Sequence, residues 1–319
     1  MLLPMGSHTI KLPQYVFESN LGELLARLGE CRSHSEVCFD FQQVAYYIPA
    51  AIVSVVAMVN ELHVQDVRCS FVNHKDCEAF RYLQRIDLFS EMGLDLPEDF
   101  FRRSGSRDFV PVEKINSATK PELASSLGEC IDPAGGPAKQ VIEFSAGECI
   151  LNCRQHSRAI GYVSAQYAAK SDFARIGVAD CGRGIRGSFR DNRSKFYREG
   201  MTDAEAIALA IRPNVSSTAD LPHMYGKSPN AGVGLSMLRD LVRQTLGHMV
   251  VVSGSGWWKQ DGVRSPKSDG LPGNGFFPGT VCSVCFTRKQ IGDYDAMLKE
   301  ARRKVKGLPE EESDANLFL

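Results

Sequence analysis

The chain has 319 residues, with 37 Lys and Arg set against 38 Asp and Glu. That length accommodates two ordinary domains, and the balanced charge creates no global field favouring nucleic acid or an anionic membrane. There is no apolar run of about 18 residues and no leader-like start, so the sequence reads as cytoplasmic. Its ten cysteines, scattered through apolar segments, read as reduced core thiols rather than a disulfide framework.

In chain order, residues 37 to 41 (Val-Cys-Phe-Asp-Phe) read as a short buried strand. Pro49 opens a helix reaching Asn60, because proline is tolerated in a first helical turn where its missing donor would be unpaired anyway. Residues 67 to 72 make a second strand, and Asp76 is placed to cap a helix carrying Phe80, Leu83 and Ile86 on one face. This βαβα rhythm implies helices packed on a sheet. The order resembles STAS-like domains over residues 38 to 93, from the strand ending in Asp40-Phe41 through Val44 to Ile52 and on to Leu83-Gln84-Arg85-Ile86-Asp87-Leu88-Phe89 before Gly93. Where phosphoswitch members of that family carry an Asp-Ser-Ser-Gly-like step, this chain has Ile48-Pro49-Ala50-Ala51. The resemblance therefore implies a packing module without the phosphoacceptor hydroxyl.

Residues 113 to 130 are expected to hold a leading helix, and Pro133-Ala134-Gly135-Gly136-Pro137 marks a loop. Four motifs follow. Glu148, Asn152 and His156 recur every four residues and share one helix face, a stripe also found on exposed helices. An alternating strand then runs into Asp180-Cys181-Gly182-Arg183-Gly184, where the glycines let the backbone turn tightly and approach a ligand. Asn230-Ala231-Gly232-Val233-Gly234-Leu235-Ser236 feeds a helix carrying Met237, Leu238, Leu241 and Val242, presenting free N–H groups at a positive dipole end. It lacks the Gly-Lys-Ser/Thr of a Walker A loop and the third glycine of a dinucleotide fingerprint. Last comes Pro278-Gly279-Thr280 entering a terminal strand. Cys282 and Cys285 lie in that strand, where positions three apart point to opposite faces and do not share a metal.

In this order and spacing, over residues 137 to 290, the motifs resemble the N box, G1 box, G2 box and closing Gly-Thr strand of the GHKL superfamily of Bergerat-fold ATPases, near its anti-sigma-factor-kinase branch. The resemblance implies ATP and Mg²⁺ as cofactors. It makes Asn152 the Mg²⁺ ligand, Glu148 the general base and Asp180 the acceptor of the adenine amino group. Gly182 and Gly184 would admit the nucleotide, Gly232 and Gly234 would donate N–H groups to phosphates, and Thr280 would help hold adenine through water. His156 is either a nucleotide-side residue or a structural histidine, and Lys227, in a Pro/Ser/Gly-rich lid expected between Arg212 and Lys227, would reach a terminal phosphate.

The expected fold is α/β (α+β). A STAS-like βα domain (1–112) and a linker or leading helix (113–136) precede a Bergerat sandwich (137–290) with a mixed sheet and helices on one face, and a charged tail (291–319) closes the chain. The expected function is regulatory: nucleotide state, slow hydrolysis or Ser/Thr phosphorylation controls a protein partner, and a homodimer is one arrangement common in such company. The alternatives are a non-catalytic nucleotide-responsive scaffold and a histidine kinase component, the latter lacking a helical hairpin with a phosphoacceptor histidine. No nucleic-acid or membrane partner is indicated.

Overall fold

Alternating strand and helix signals in the first third build a parallel βαβαβ unit: β1 (Met5–Lys11), a two-residue strand β2 (Tyr15–Val16), α1 (Leu21–Glu30), β3 (His34–Asp40), a second short strand β4 (Tyr46–Tyr47), α2 (Pro49–Val64) and β5 (Arg68–Val72). β3 lies between β1 and β5, and both pairings are parallel. The computed structural model describes residues 5–100, 108–119, 122–217 and 233–307.

Two short helices, α3 (Phe80–Arg85) and α4 (Leu88–Glu91), lead to β6 (Phe109–Ile115), α5 (Glu122–Ile131), α6 (Pro137–His156), β7 (Gly161–Ala168) and β8 (Phe173–Asp180). Then come α7 (Gly184–Asp191), α8 (Asp203–Ala210), α9 (Gly234–Gln244), β9 (His248–Gly254), β10 (Gly256–Asp261), β11 (Lys267–Gly270), β12 (Phe277–Thr287) and α10 (Tyr294–Val305). Seven of these strands form one sheet in the order β11-β10-β9-β12-β8-β7-β6.

The chain is thus a mixed α/β protein, but its large sheet differs from expectation in two ways. Every pairing in it is antiparallel, and helices cover both faces. On one face α5, α6 and α9 pack against Val163, Ile176, Val251 and Val284. On the other, α2 joins Val37 and Phe39 of β3 to Tyr162, Ala179, Val252 and Val281 of the large sheet in a single core. The cause is the composition of α2. Pro49 through Val59 is buried without a break, and a helix apolar on all sides must be covered on all sides. Ser54, its one buried hydroxyl, bonds back to the Ala50 carbonyl at 2.6 Å.

Contact between α2 and the sheet is close enough to depend on a missing side chain. A methyl group added to Gly177 of β8 would come within 2.2 Å of the Ala50 nitrogen. The seam also holds a buried ion pair, Arg175 Nε donating to Glu18 Oε1 at 2.8 Å. Both side chains are nearly inaccessible, and the Arg175 Nη1 is buried without a hydrogen-bond partner among the described residues.

Three local expectations are corrected. Asp76 does not cap a helix: it lies in a turn, and α3 starts four residues later behind Ala79. The helix expected over 113–130 is present only from Glu122, as α5; residues 113 to 115 are instead the end of β6, paired with β7. Pro111 sits in β6, a bulged strand at the sheet edge, where a proline without an N–H is admitted; the boundary drawn at 112 falls inside it. The 291–305 segment is docked rather than merely solvated, because Met297, Leu298, Ala301 and Val305 recur at helical spacing and are buried. No helix among the described residues is long and apolar enough to cross a membrane, and none of the ten cysteines is in a disulfide.

Candidate functional site

The site gathers where α6, the β8–α7 turn, the start of α9 and the β9 and β12 strand ends meet. Asp180 is the last residue of β8 and is 3 % exposed. Oδ1 accepts from the Ser157 hydroxyl at 2.7 Å and from the Gly182 N–H at 2.8 Å, and the Thr280 N–H also bonds to the carboxylate. Burial outweighs these donors and pushes the Asp180 carboxyl up to about 6. Thr280 is its cross-strand partner in β12.

Close backbone approach shapes the surrounding turn. Gly279 has φ +83, and a methyl there would lie 2.1 Å from the Asp180 carbonyl and 2.6 Å from the Gly182 nitrogen. It sits where the β12–β9 register shifts between Phe277 and Thr280, a bulge that only glycine fits without strain. Gly184 (φ +67) faces Ser253, whose hydroxyl donates to the Gly279 carbonyl at 2.8 Å and accepts from the Ile185 N–H at 2.9 Å. A methyl on Gly182 would strike Ser157 at about the same depth, 2.2 Å from its carbonyl oxygen.

The last carbonyls of α6 have no intrahelical donors, and the turn supplies them. Arg183 N–H donates to Ser157 O at 3.1 Å and Arg183 Nε to His156 O at 2.6 Å. Helix α6 and the turn carrying Asp180 are thereby locked together at one point.

Along α6, Glu148 and Asn152 lie one turn apart. The Glu148 carboxylate rests against the first residue of α9: a methyl on Gly234 would fall 2.1 Å from Oε2. Burial raises the Glu148 carboxyl above its ordinary value. Asn152 Nδ2 is buried and has no hydrogen-bond partner among the described residues, a costly state for an amide unless something else meets it. His156 is differently placed. Its Nδ1 sits 3.2 Å from the Ser217 hydroxyl and 3.4 Å from that of Ser188, and burial, then the Arg183 charge, lowers it to about 4. It is a neutral imidazole tying α6 to Ser188 of α7 and to Ser217. Lys227 and Gly232 lie outside the described residues.

The structure therefore brings Glu148 against Gly234 and Asp180 against Gly182 and Thr280, with Gly184 packed on Ser253 and Gly279 beside them. Sequence reading left out Ser157, Ser253 and Gly279 as site residues. The serines follow no spacing rule; Gly279 was visible as the glycine before Thr280. No cluster of three or more His, Cys, Asp or Glu among the described residues can hold a metal alone. Comparison with protein-family models, curated proteins and solved structures gives no match to this chain.

Proposed function

We propose that this chain is a regulatory nucleotide-binding protein of the GHKL type, with a STAS-like module (1–112) packed on a Bergerat-type ATP site (137–290), working in the cytoplasm on a protein partner. The observation that carries the reading is the convergence of a buried, hydroxyl-held Asp180 with a glycine-lined turn on one side, and of Glu148 and an unpartnered Asn152 amide at the mouth of α9 on the other. A buried carboxylate whose Oδ1 is already saturated by Ser157 and Gly182, and which also takes the Thr280 N–H, keeps one acceptor position on Oδ2 for an exocyclic amino group, which suits adenine.

Asn152 fits Mg²⁺-ATP in kind. Its side chain offers the oxygen that a hard cation prefers, and a Mg²⁺ ion normally completes its shell with phosphate oxygens and water rather than with an all-protein cage. When bound, that ion would offset the charge on the phosphates. Gly234 puts a helix N-terminus beside them. Glu148, its carboxyl raised by burial, would take a proton from a water or from a hydroxyl of a protein substrate. The STAS-like half acts through α2, which touches β8 at Gly177, three residues from Asp180, so a partner that shifts α2 also shifts the strand bearing the base-reading carboxylate.

Phosphate release and labelled-phosphate transfer from Mg-ATP test the reaction. Wild type is expected to turn over slowly and Glu148→Ala at least about tenfold more slowly, in line with loss of a general base. Equal rates would remove Glu148 from the role. ATP binding without release or transfer by wild type would favour the nucleotide-responsive scaffold.

A further inference from the structure

Outside the candidate site, the C-terminal end of α6 carries a second feature that the proposed function does not use. A surface pocket of about 320 Å³ lies between this end and the turn after β6. Arg154, Gln155 and Arg158 line it from one side, Asn116 and Ser117 from the other, and Leu151 contributes apolar wall. Among the described residues, none that lines it is acidic. Arg154 reaches across, donating from Nη2 to the Ser117 carbonyl at 3.3 Å, and has no carboxylate in ion-pair range among the described residues.

The adjoining charges are unbalanced. Asp191 alone faces three guanidiniums: Arg190 at 3.0 Å, Arg183 at 3.6 Å and the pocket's own Arg158 at 3.8 Å. Hydrogen bonding from Arg190, then the charges of all three, holds the Asp191 carboxyl below its usual range. Arg158 is moreover held at φ +65 just past the helix end, a position where glycine is the unstrained choice. An arginine kept there, two-thirds exposed, supplies charge at a backbone cost.

We propose that this pocket binds a phosphate monoester, its phosphate gripped by Arg154 and Arg158 and its carbon stem lying against Leu151. Guanidinium pairs match the geometry of phosphate oxygens, and the volume exceeds that of a bare phosphate ion, leaving room for an organic substituent. The source is either a phosphorylated side chain or a small phosphorylated metabolite. Occupancy would draw Arg158 away from Asp191, which also pairs with Arg183, the residue clamped to the end of α6 beside Asp180.

Calorimetric titration of the full chain with a phosphoserine peptide, its unphosphorylated form and glycerol 3-phosphate tests this, independently of whether the nucleotide reading holds. Wild type is expected to bind at least one ester and not the unphosphorylated peptide, and the tighter ester identifies the source. Arg154→Gln and Arg158→Gly should each weaken binding at least tenfold, while Arg264→Gln, an exposed arginine elsewhere, should leave it unchanged. Arg158→Gly should keep or raise the melting temperature, which separates lost binding from lost folding. The proposal is overturned if wild type binds neither ester, or if Arg264→Gln weakens binding as much as the pocket variants.

Discussion

Replacing Asp180 by Asn should make the nucleotide-free protein more stable at alkaline pH, while removing its proposed acceptor. The Asp180 carboxyl is raised from 3.8 to about 6, so the folded state holds its proton more tightly than the unfolded chain. The associated stability is fully present below about pH 4 and is lost as pH rises through about 6, amounting to about 3 kcal/mol by pH 8 at 1.36 kcal/mol per unit. Asparagine never ionises. Its Oδ1 still accepts from Ser157 and Gly182, so the substitution forfeits mainly the charge-assisted bond from the Thr280 N–H, about 1.5 kcal/mol. The net gain of about 1.5 kcal/mol corresponds to a rise of about 2 °C in melting temperature for a chain of this length. Melts of both proteins at pH 4.5 and pH 8 check this. A gain at pH 8 that shrinks towards pH 4.5 is expected; a loss at pH 8, or a gain independent of pH, would refute the reasoning about the buried carboxylate.

Gly177→Ala should cost at least about 3 kcal/mol, beyond ordinary overpacking, because the added methyl meets the backbone of α2 at 2.2 Å rather than a side chain that can turn away; denaturant titration measures it, and a neutral result would mean that α2 is not seated on β8. Glu18→Gln leaves the Arg175 charge buried with a neutral partner and should destabilise by about 3–5 kcal/mol by the same titration. Gly234→Ala should fold, since the clash falls on the flexible end of Glu148, yet it should depress phosphate release towards the level of Glu148→Ala. Release at the wild-type rate from a folded Gly234→Ala protein would show that the position of the Glu148 carboxylate does not matter.

The parts of the fold legible in the sequence are those where one physical signal dominates. Pro49 followed by unbroken apolar residues announces α2, and the alternating stretches before Asp180 and after Thr280 announce β8 and β12. Strand β1 escaped notice because it is polar, with Ile10 its one clearly buried residue, and it owes its place to pairing with β3. The amphipathic spacing of Leu21, Leu24, Leu25 and Leu28 was there to be read as α1 and was not. What α2 packs against is absent from any local pattern: its all-round hydrophobicity says that both sides are covered, but not by which sheets. At the candidate site, the fourfold spacing on α6 correctly put Glu148 and Asn152 on one helix, whereas the hydroxyls of Ser157 and Ser253 act through contacts 23 and 26 residues away in the chain, which spacing does not encode. His156 shares the stripe, but its Nδ1 faces the hydroxyls of Ser188 and Ser217.

The central claim is that Asp180 reads a nucleotide base. It is tested most directly by calorimetric titration of Mg-ATP into wild type and into folded Asp180→Asn at pH 8. Wild type is expected to bind, with a loss of at least tenfold, about 1.4 kcal/mol, in the variant. No binding by wild type, or equal affinity in the two proteins, would contradict it.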